Sequence, residues 1–262
     1  MLISDKIAEL DISNRSHVAG AFSTRVLRRL EELMPETIQY SAETGCGKST
    51  IMFSNISKHH TVFCIDDRVH AGDSSINFFE TCPLTQNDRV HLVLGPTQLT
   101  LPKFDGFQTY DAILIDGPHG YPFPEIEYYF FYPHLRPGGV LILDDVHIAT
   151  IGRLGDFLAE DPMFEFVELV STTAVFRRTD APAFDPLGDG WWLQDFNRRR
   201  IPHDNAYLAT YALADDKMRV PFSASFGKPA SELAAGNSKP ARNSMGAASA
   251  LSELARRLIR RI

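Results

Sequence analysis

Five titratable side chains crowd two short blocks of this sequence: Asp116 and His119 in Ile115-Asp-Gly-Pro-His-Gly-Tyr121, and Asp144, Asp145 and His147 in Leu143-Asp-Asp-Val-His147. An imidazole beside a carboxylate can take a proton from a hydroxyl near neutral pH, so His119 or His147 could serve as a general base, with Asp116 in support. A domain that only binds a ligand needs no such concentration of acids and imidazoles, which favours chemistry over passive recognition.

A second feature is the glycine turn in Ser41-Ala-Glu-Thr-Gly-Cys-Gly-Lys-Ser-Thr50. It follows an apolar-polar strand pattern and precedes a helical one, where glycines let the backbone turn sharply and approach a ligand. Gly47-Lys48-Ser49 also satisfies a loose phosphate-binding loop, which aims backbone amides and a lysine at a polyphosphate. Acids oppose that reading. Glu43 lies within the loop, and the strand ends contribute Asp66, Asp67, Asp116, Asp144 and Asp145 against Lys48. Each unneutralised like-charge pair at about 8 Å costs roughly 2 kcal/mol at an effective dielectric of about 20. Such a mouth disfavours a triphosphate and favours a cation.

These residues need elements to position them. Short apolar runs at 38–42, 61–65, 90–94, 112–115, 140–143, 165–170 and 173–177 alternate with polar or helical stretches, the texture of repeated β-α units. Ala-Ile-Leu-Ile115 and Val-Leu-Ile-Leu143 are apolar throughout, as strands covered on both faces must be. The last two runs are close enough for an edge hairpin. The expected fold class is α/β: a doubly wound, Rossmann-like, mostly parallel sheet flanked by helices. Ahead of it, Val18, Phe22, Val26, Leu27, Leu30 and Leu33 recur at helical spacing until Pro35, giving a helical lead-in or cap over residues 1–36 and a main domain over 37–180.

The regularity fades beyond residue 180. Residues 181–222, with Trp191-Trp192, read as an irregular extension, possible cover for a site together with the lead-in helix. Residues 223–250 are poor in large apolar side chains and read as a flexible linker. Residues 251–262 combine Leu254, Leu258 and Ile262 with four arginines in a basic amphipathic helix suited to weak contact with an anionic membrane surface or a partner.

With a net charge of −7 the chain is no general nucleic-acid binder. Three widely spaced cysteines imply no disulfide framework, no run of residues is long and apolar enough for a membrane span, and a cytoplasmic location is expected. Homo-oligomerisation is open.

Glu43-Thr-Gly-Cys-Gly-Lys-Ser49 resembles the acidic, glycine-spaced first motif of class I S-adenosylmethionine-dependent methyltransferases. Tyr110-Asp-Ala-Ile-Leu-Ile-Asp-Gly-Pro-His-Gly-Tyr121, followed by Leu135-Arg-Pro-Gly-Gly-Val-Leu-Ile-Leu-Asp-Asp-Val-His147, is similar to a subfamily joining Asp-Gly, a His and a Tyr to a later Pro-Gly-Gly strand ending in two acids. The resemblance covers residues 37 to 178 and implies a seven-stranded sheet whose last strand is antiparallel. It implies S-adenosylmethionine as cofactor, cradled by Glu43, Thr44, Gly45, Cys46, Gly47 and Ser49, with Asp116 nearby. Asp66 falls close to the roughly 20-residue offset at which an acid meets ribose hydroxyls, and Asp67 is the alternative by one residue. By likeness to catechol O-methyltransferases, Asp116, Asp144 and Asp145 match a set holding Mg2+ or another divalent cation, with an acid where those enzymes carry an amide. Pro96-Thr97 departs from the acid or serine often found beside adenine.

The implied activity is methyl transfer to a small-molecule acceptor, most readily at oxygen. The alternatives are a phosphate-loop nucleotide enzyme built on Gly47-Lys48-Ser49 and a nucleoside-binding domain without turnover. Tyr121, Tyr128, Tyr129 and the tryptophan pair are candidate acceptor-pocket residues, with plain core packing as the bland reading.

Overall fold

A computed structural model describes residues 1–12, 22–185, 191 and 194–199. It divides into two units, Met1–Ala183 and Phe184–Ile262. The first is organised around a seven-stranded sheet of order β3-β2-β1-β4-β5-β7-β6. The strands are β1 (Ile38–Thr44), β2 (Ser57–Cys64), β3 (Val90–Leu94), β4 (Tyr110–Ile115), β5 (Leu135–Leu143), β6 (Phe164–Val170) and β7 (Thr173–Arg178). β1 pairs in parallel with β2 and β4, β2 with β3, and β4 with β5, whereas β7 runs antiparallel to both β5 and β6. The expected α/β sheet and closing hairpin are present, with β7 inserted between β5 and edge strand β6.

The helices are α1 (Ile3–Ile12), α2 (Thr24–Leu33), α3 (Lys48–Ile56), α4 (Ser75–Thr81), α5 (Thr97–Thr100), α6 (Phe123–Phe131) and α7 (Ala149–Glu160). The all-apolar runs on β4 and β5 are buried throughout, which is why they sit centrally.

The amino-terminal helices are core elements. Ser23 caps α2 by accepting from Val26 N–H, so the helix begins after Phe22 and Val18 lies outside the described residues. Glu31 on α2 accepts from the Ile3 and Ser4 amides at 2.8 and 2.9 Å, closing the amino end of α1. Ile7, Leu27 and Leu30 are fully buried in one cluster with Phe53, Val140 and Val175. Arg29 clamps α2 to Glu168 of β6. Helices so embedded share the core of the sheet.

Two boundaries shift in a way that matters for the site. β1 continues through Glu43 and Thr44 because these residues pair with Val62 and Phe63 of β2, so both are strand residues. β2 begins at Ser57, leaving α3 short.

In the second unit, α8 (Asp195–Arg198) is closed by the Asn197 amide, which donates to the Trp191 carbonyl and Gln194 Oε1. Trp192, the linker expected over 223–250 and the basic helix expected over 251–262 lie outside the described residues.

Candidate active site

Strand order reverses between β1 and β4: the chain winds from β1 outward through β2 and β3, then returns to β4 and continues the other way. In such sheets the crevice opens beyond the carboxyl ends of the two strands at the reversal. Here those ends carry the glycine turn and Asp116.

The turn is held by two threonine relays. Thr44 Oγ1 accepts the Asp116 amide at 2.9 Å and donates to Glu127 Oε2 at 2.8 Å. Thr50 Oγ1, on the first turn of α3, accepts the Gly47 amide at 2.9 Å and donates to Glu43. Gly45 has φ +91° and its amide donates to Phe63 O. A Cβ there would stand 2.5 Å from Asp116 O, so only glycine lets β1 and β4 end side by side.

Glu43, expected in the loop, is fully buried beneath it. Strand pairing to Thr44 makes successive side chains point to opposite faces, and Glu43 meets His60 Nε2 at 3.2 Å as well as Thr50. His60 Nδ1 in turn lies 2.8 Å from Ser41 Oγ, which donates to Ser57 Oγ. Glu43 therefore supports the turn from within the protein rather than facing the crevice. Cys46 is half-buried and packs against Cys64, whose neighbouring thiol, together with burial, raises the Cys46 pKa. Ser49 and Lys48 are buried in the first turn of α3.

Beyond β2 the two adjacent acids separate by role. Asp67 accepts from Ser74 Oγ, Ser75 N and Ile76 N at 2.6, 2.6 and 3.3 Å, which caps α4. Burial opposes these bonds, yet they hold its pKa below the usual carboxylate range. Asp66 is exposed and meets Arg68 at 3.3 Å. Asp66 is the acid left facing solvent at the strand end.

On the other side of the crevice Asp116, His119 and Asp145 converge, each offering a ligand atom within 4.8 Å of the others. His119 Nε2 lies 3.3 Å from Asp145 Oδ2 and 4.0 Å from Asp116 Oδ1. Asp145 reaches this position from φ 55°, a left-handed conformation that aspartate tolerates better than most residues. The His119 carbonyl accepts from Thr150 Oγ1 on α7, and Arg153 of α7 pairs with Glu125 and lies 4.9 Å from the Tyr121 ring centre. α7 thus holds the β4–α6 turn in place.

The electrostatics follow from crowding. Burial, reinforced by the charges of Asp144 and Glu43 and opposed by His119, pushes the Asp116 pKa up to about 7. Asp116, with Asp145 and Asp144 adding to it against burial, raises the His119 pKa. Asp144 itself is turned aside: its carboxylate accepts from Thr173 Oγ1 of β7 at 2.5 Å, and burial raises its pKa. The converging set is Asp116, His119 and Asp145. His147 Nδ1 is 3.5 Å from Asp145 Oδ1, but its side chain is 58 % exposed, at the rim.

Tyr128 is core: its ring stacks on Tyr132 and packs against Phe157 and Phe164. Tyr121 and Tyr129 are exposed. Sequence reasoning missed Thr50, His60, Thr97, Gln98 and Glu127. Thr97 Oγ1 and Gln98 Oε1, just after β3, are both buried, and Gln98 Oε1 has no hydrogen-bond partner. Glu127 sits on α6, where burial pushes its pKa up to about 7 against the pull of the Thr97 and Thr44 hydroxyls and the Gly117 amide. The Thr50 signal was present as a hydroxyl three residues beyond Gly47; Glu127 had none, since a helical carboxylate reads as solvated.

Residues 42–146 match the family model of a methyltransferase domain. Among curated proteins no sequence matches the chain. Solved structures share the fold. A candidate caffeoyl-CoA O-methyltransferase from Staphylococcus aureus is 15 % identical, covering 67 % of this chain and 91 % of its own, with a TM-score of 0.50. A candidate O-methyltransferase from Klebsiella pneumoniae is 17 % identical, covering 68 % and 90 %, with a TM-score of 0.51. A cofactor-bound protein from MTB is 18 % identical, covering 68 % and 90 %, with a TM-score of 0.52. Those structures share the sheet described above, and the segment matched by the methyltransferase-domain model carries the glycine turn with Asp116, His119, Asp144 and Asp145, while His147 lies one residue beyond it.

Proposed function

We propose that this protein transfers a methyl group from S-adenosylmethionine to an oxygen of a small-molecule acceptor, with His119 as the base. The convergence of Asp116, His119 and Asp145 beside the glycine turn carries this reading. Methyl transfer from a sulfonium is an in-line displacement, so the protein must align acceptor, methyl carbon and sulfur and remove the acceptor's proton.

The turn Gly45-Cys46-Gly47 brings backbone close to the cofactor's amino-acid end, and Asp116 offers negative charge to its ammonium and sulfonium. Asp66, not committed to capping a helix, meets the ribose. Gln98 Oε1, buried and without a hydrogen-bond partner, is an acceptor for the adenine amino group. At the acceptor side, Asp145 holds the His119 Nε2–H, which leaves Nδ1 as the nitrogen that accepts a proton. Tyr121 is placed to line the acceptor entrance.

A divalent cation also fits Asp116, His119 and Asp145, because two carboxylates and an imidazole within 4.8 Å are a suitable donor set. When bound there it would lower the pKa of an acceptor hydroxyl. His119 Nε2 cannot both carry the proton held by Asp145 and ligate a cation, so chelation separates the two readings.

Calorimetry with S-adenosylmethionine, S-adenosylhomocysteine and ATP on wild type and Asp66→Ala tests the cofactor. Binding of the first two, weakened in the variant, is expected. Saturable ATP binding alone would return the assignment to a phosphate loop. Among the described residues no helix is long and apolar enough to cross a membrane.

A further inference from the structure

Glu127 is fully buried, yet it belongs to neither the glycine turn nor the acid and histidine group. Packing alone is a poor reason for it. A buried carboxylate is costly to desolvate, and an apolar side chain of similar size would fill the space without that cost. What a carboxylate supplies, and an apolar residue does not, is an acceptor.

That acceptor stands at a junction. Thr44 ends β1 and donates to Glu127 Oε2, while the same hydroxyl oxygen accepts the amide of Asp116 at the end of β4. A hydroxyl has one proton, so donation to Glu127 leaves its lone pairs for the Asp116 N–H. The three groups form one directed chain from Asp116 through Thr44 to α6. On the same carboxylate, Oε1 fills the volume that a side chain at Gly117 would need, since a Cβ built there would overlap it. Gly117 has no left-handed φ to explain its being glycine. The carboxylate therefore touches both strand ends that form the crevice.

We infer that Glu127 is a positioning residue of the cofactor crevice: through Thr44 and Gly117 it sets the separation and orientation of the glycine turn and Asp116. The inference deepens the methyltransferase reading and rests on it for its ligand, though not for its geometry.

The test uses the full chain as wild type, Glu127→Leu, Glu127→Gln, Thr44→Val and the Thr44→Val/Glu127→Leu pair. S-adenosylhomocysteine affinity is measured by calorimetry, folding by thermal melting, and the Asp116 amide by hydrogen exchange. Glu127→Leu should weaken S-adenosylhomocysteine by about tenfold or more while melting no lower than wild type, because the buried charge is gone. Glu127→Gln, which keeps an acceptor for Thr44, should stay within about threefold of wild type. The double variant should bind no more weakly than the worse single, since one chain of bonds is broken twice. Exchange at Asp116 should speed up in Glu127→Leu and not in Glu127→Gln. Wild-type affinity and wild-type Asp116 exchange in Glu127→Leu, or additive losses in the pair, would overturn the inference. If Glu127→Leu fails to fold, equal exchange in Thr44→Val and wild type overturns it as well. Failure of wild type itself to bind S-adenosylhomocysteine would sink the cofactor reading instead, with the exchange result still deciding the role of Glu127.

Discussion

His119 Nε2 lies 3.3 Å from Asp145 Oδ2, a contact that joins the turn after β4 to the turn after β5. His147, on the same turn as Asp145, is mostly exposed and makes a longer contact with it. The histidine nearer in sequence is thus the more loosely held in space.

The raised pKa of His119 sets the sign of the pH dependence. A base works only when deprotonated, so product formation should rise with pH through a midpoint above the ordinary imidazole value of about 6.5. Asp116→Asn removes the largest cause of the shift and should move that midpoint down. His119→Ala should lower turnover by roughly 100-fold or more with S-adenosylhomocysteine affinity unchanged, and His147→Ala by far less. Initial rates of S-adenosylhomocysteine formation across pH check all three.

Metal dependence divides the two uses of the His119 ring. With a proton-accepting His119, dialysis against chelator and assay in metal-free buffer should leave initial rates unchanged. Loss of activity on chelation, restored by Mg2+ or Mn2+, would assign Asp116, His119 and Asp145 to a cation.

Gly45→Ala should abolish measurable S-adenosylhomocysteine binding by calorimetry. The left-handed φ of +91° costs a substituted residue about 1 to 2 kcal/mol, and the added methyl would also press on the Asp116 carbonyl. A variant that binds like wild type would show that the strand ends can part without harm.

The two acids after β2 should respond oppositely. Asp67→Ala removes the acceptor that closes the amino end of α4 and should lower stability by about 1 kcal/mol in denaturant unfolding. Asp66→Ala should leave stability alone and weaken cofactor binding.

At the opposite end of the sheet Asp111 is a purely structural charge. It accepts the Gln39 and Tyr40 amides at 2.7 and 3.0 Å and pairs with Arg136 at 2.5 Å. Burial opposes these partners, but together they hold its pKa below the usual value. A depressed folded pKa contributes stability above the unfolded value of about 3.9, lost as pH falls through the folded value. Melting temperature should therefore drop on acidification below about pH 4, and less steeply in Asp111→Asn, which should itself cost about 1 to 3 kcal/mol at neutral pH. Cofactor binding should not change.

Much of the architecture was legible because it rests on local pattern. The apolar runs ending at Ile115 and Leu143 are buried on both faces, and that requirement writes itself into consecutive residues. Strand ends were less legible: Glu43 and Thr44 join β1 through pairing with β2, a distant segment that no local propensity reports.

Composition and short motifs, by themselves, determined that this chain builds a mostly parallel α/β sheet with glycines and acids at its strand ends. Tertiary structure alone decided which acids share a mouth. It turned Glu43 inward to His60, drew Asp144 to Thr173, assigned Asp67 to a helix end, and brought His119 to Asp145 and Glu127 to Thr44. The reason is physical: a carboxylate's role depends on the donors within a few ångströms of it, and those donors come from strands and helices far apart in the chain.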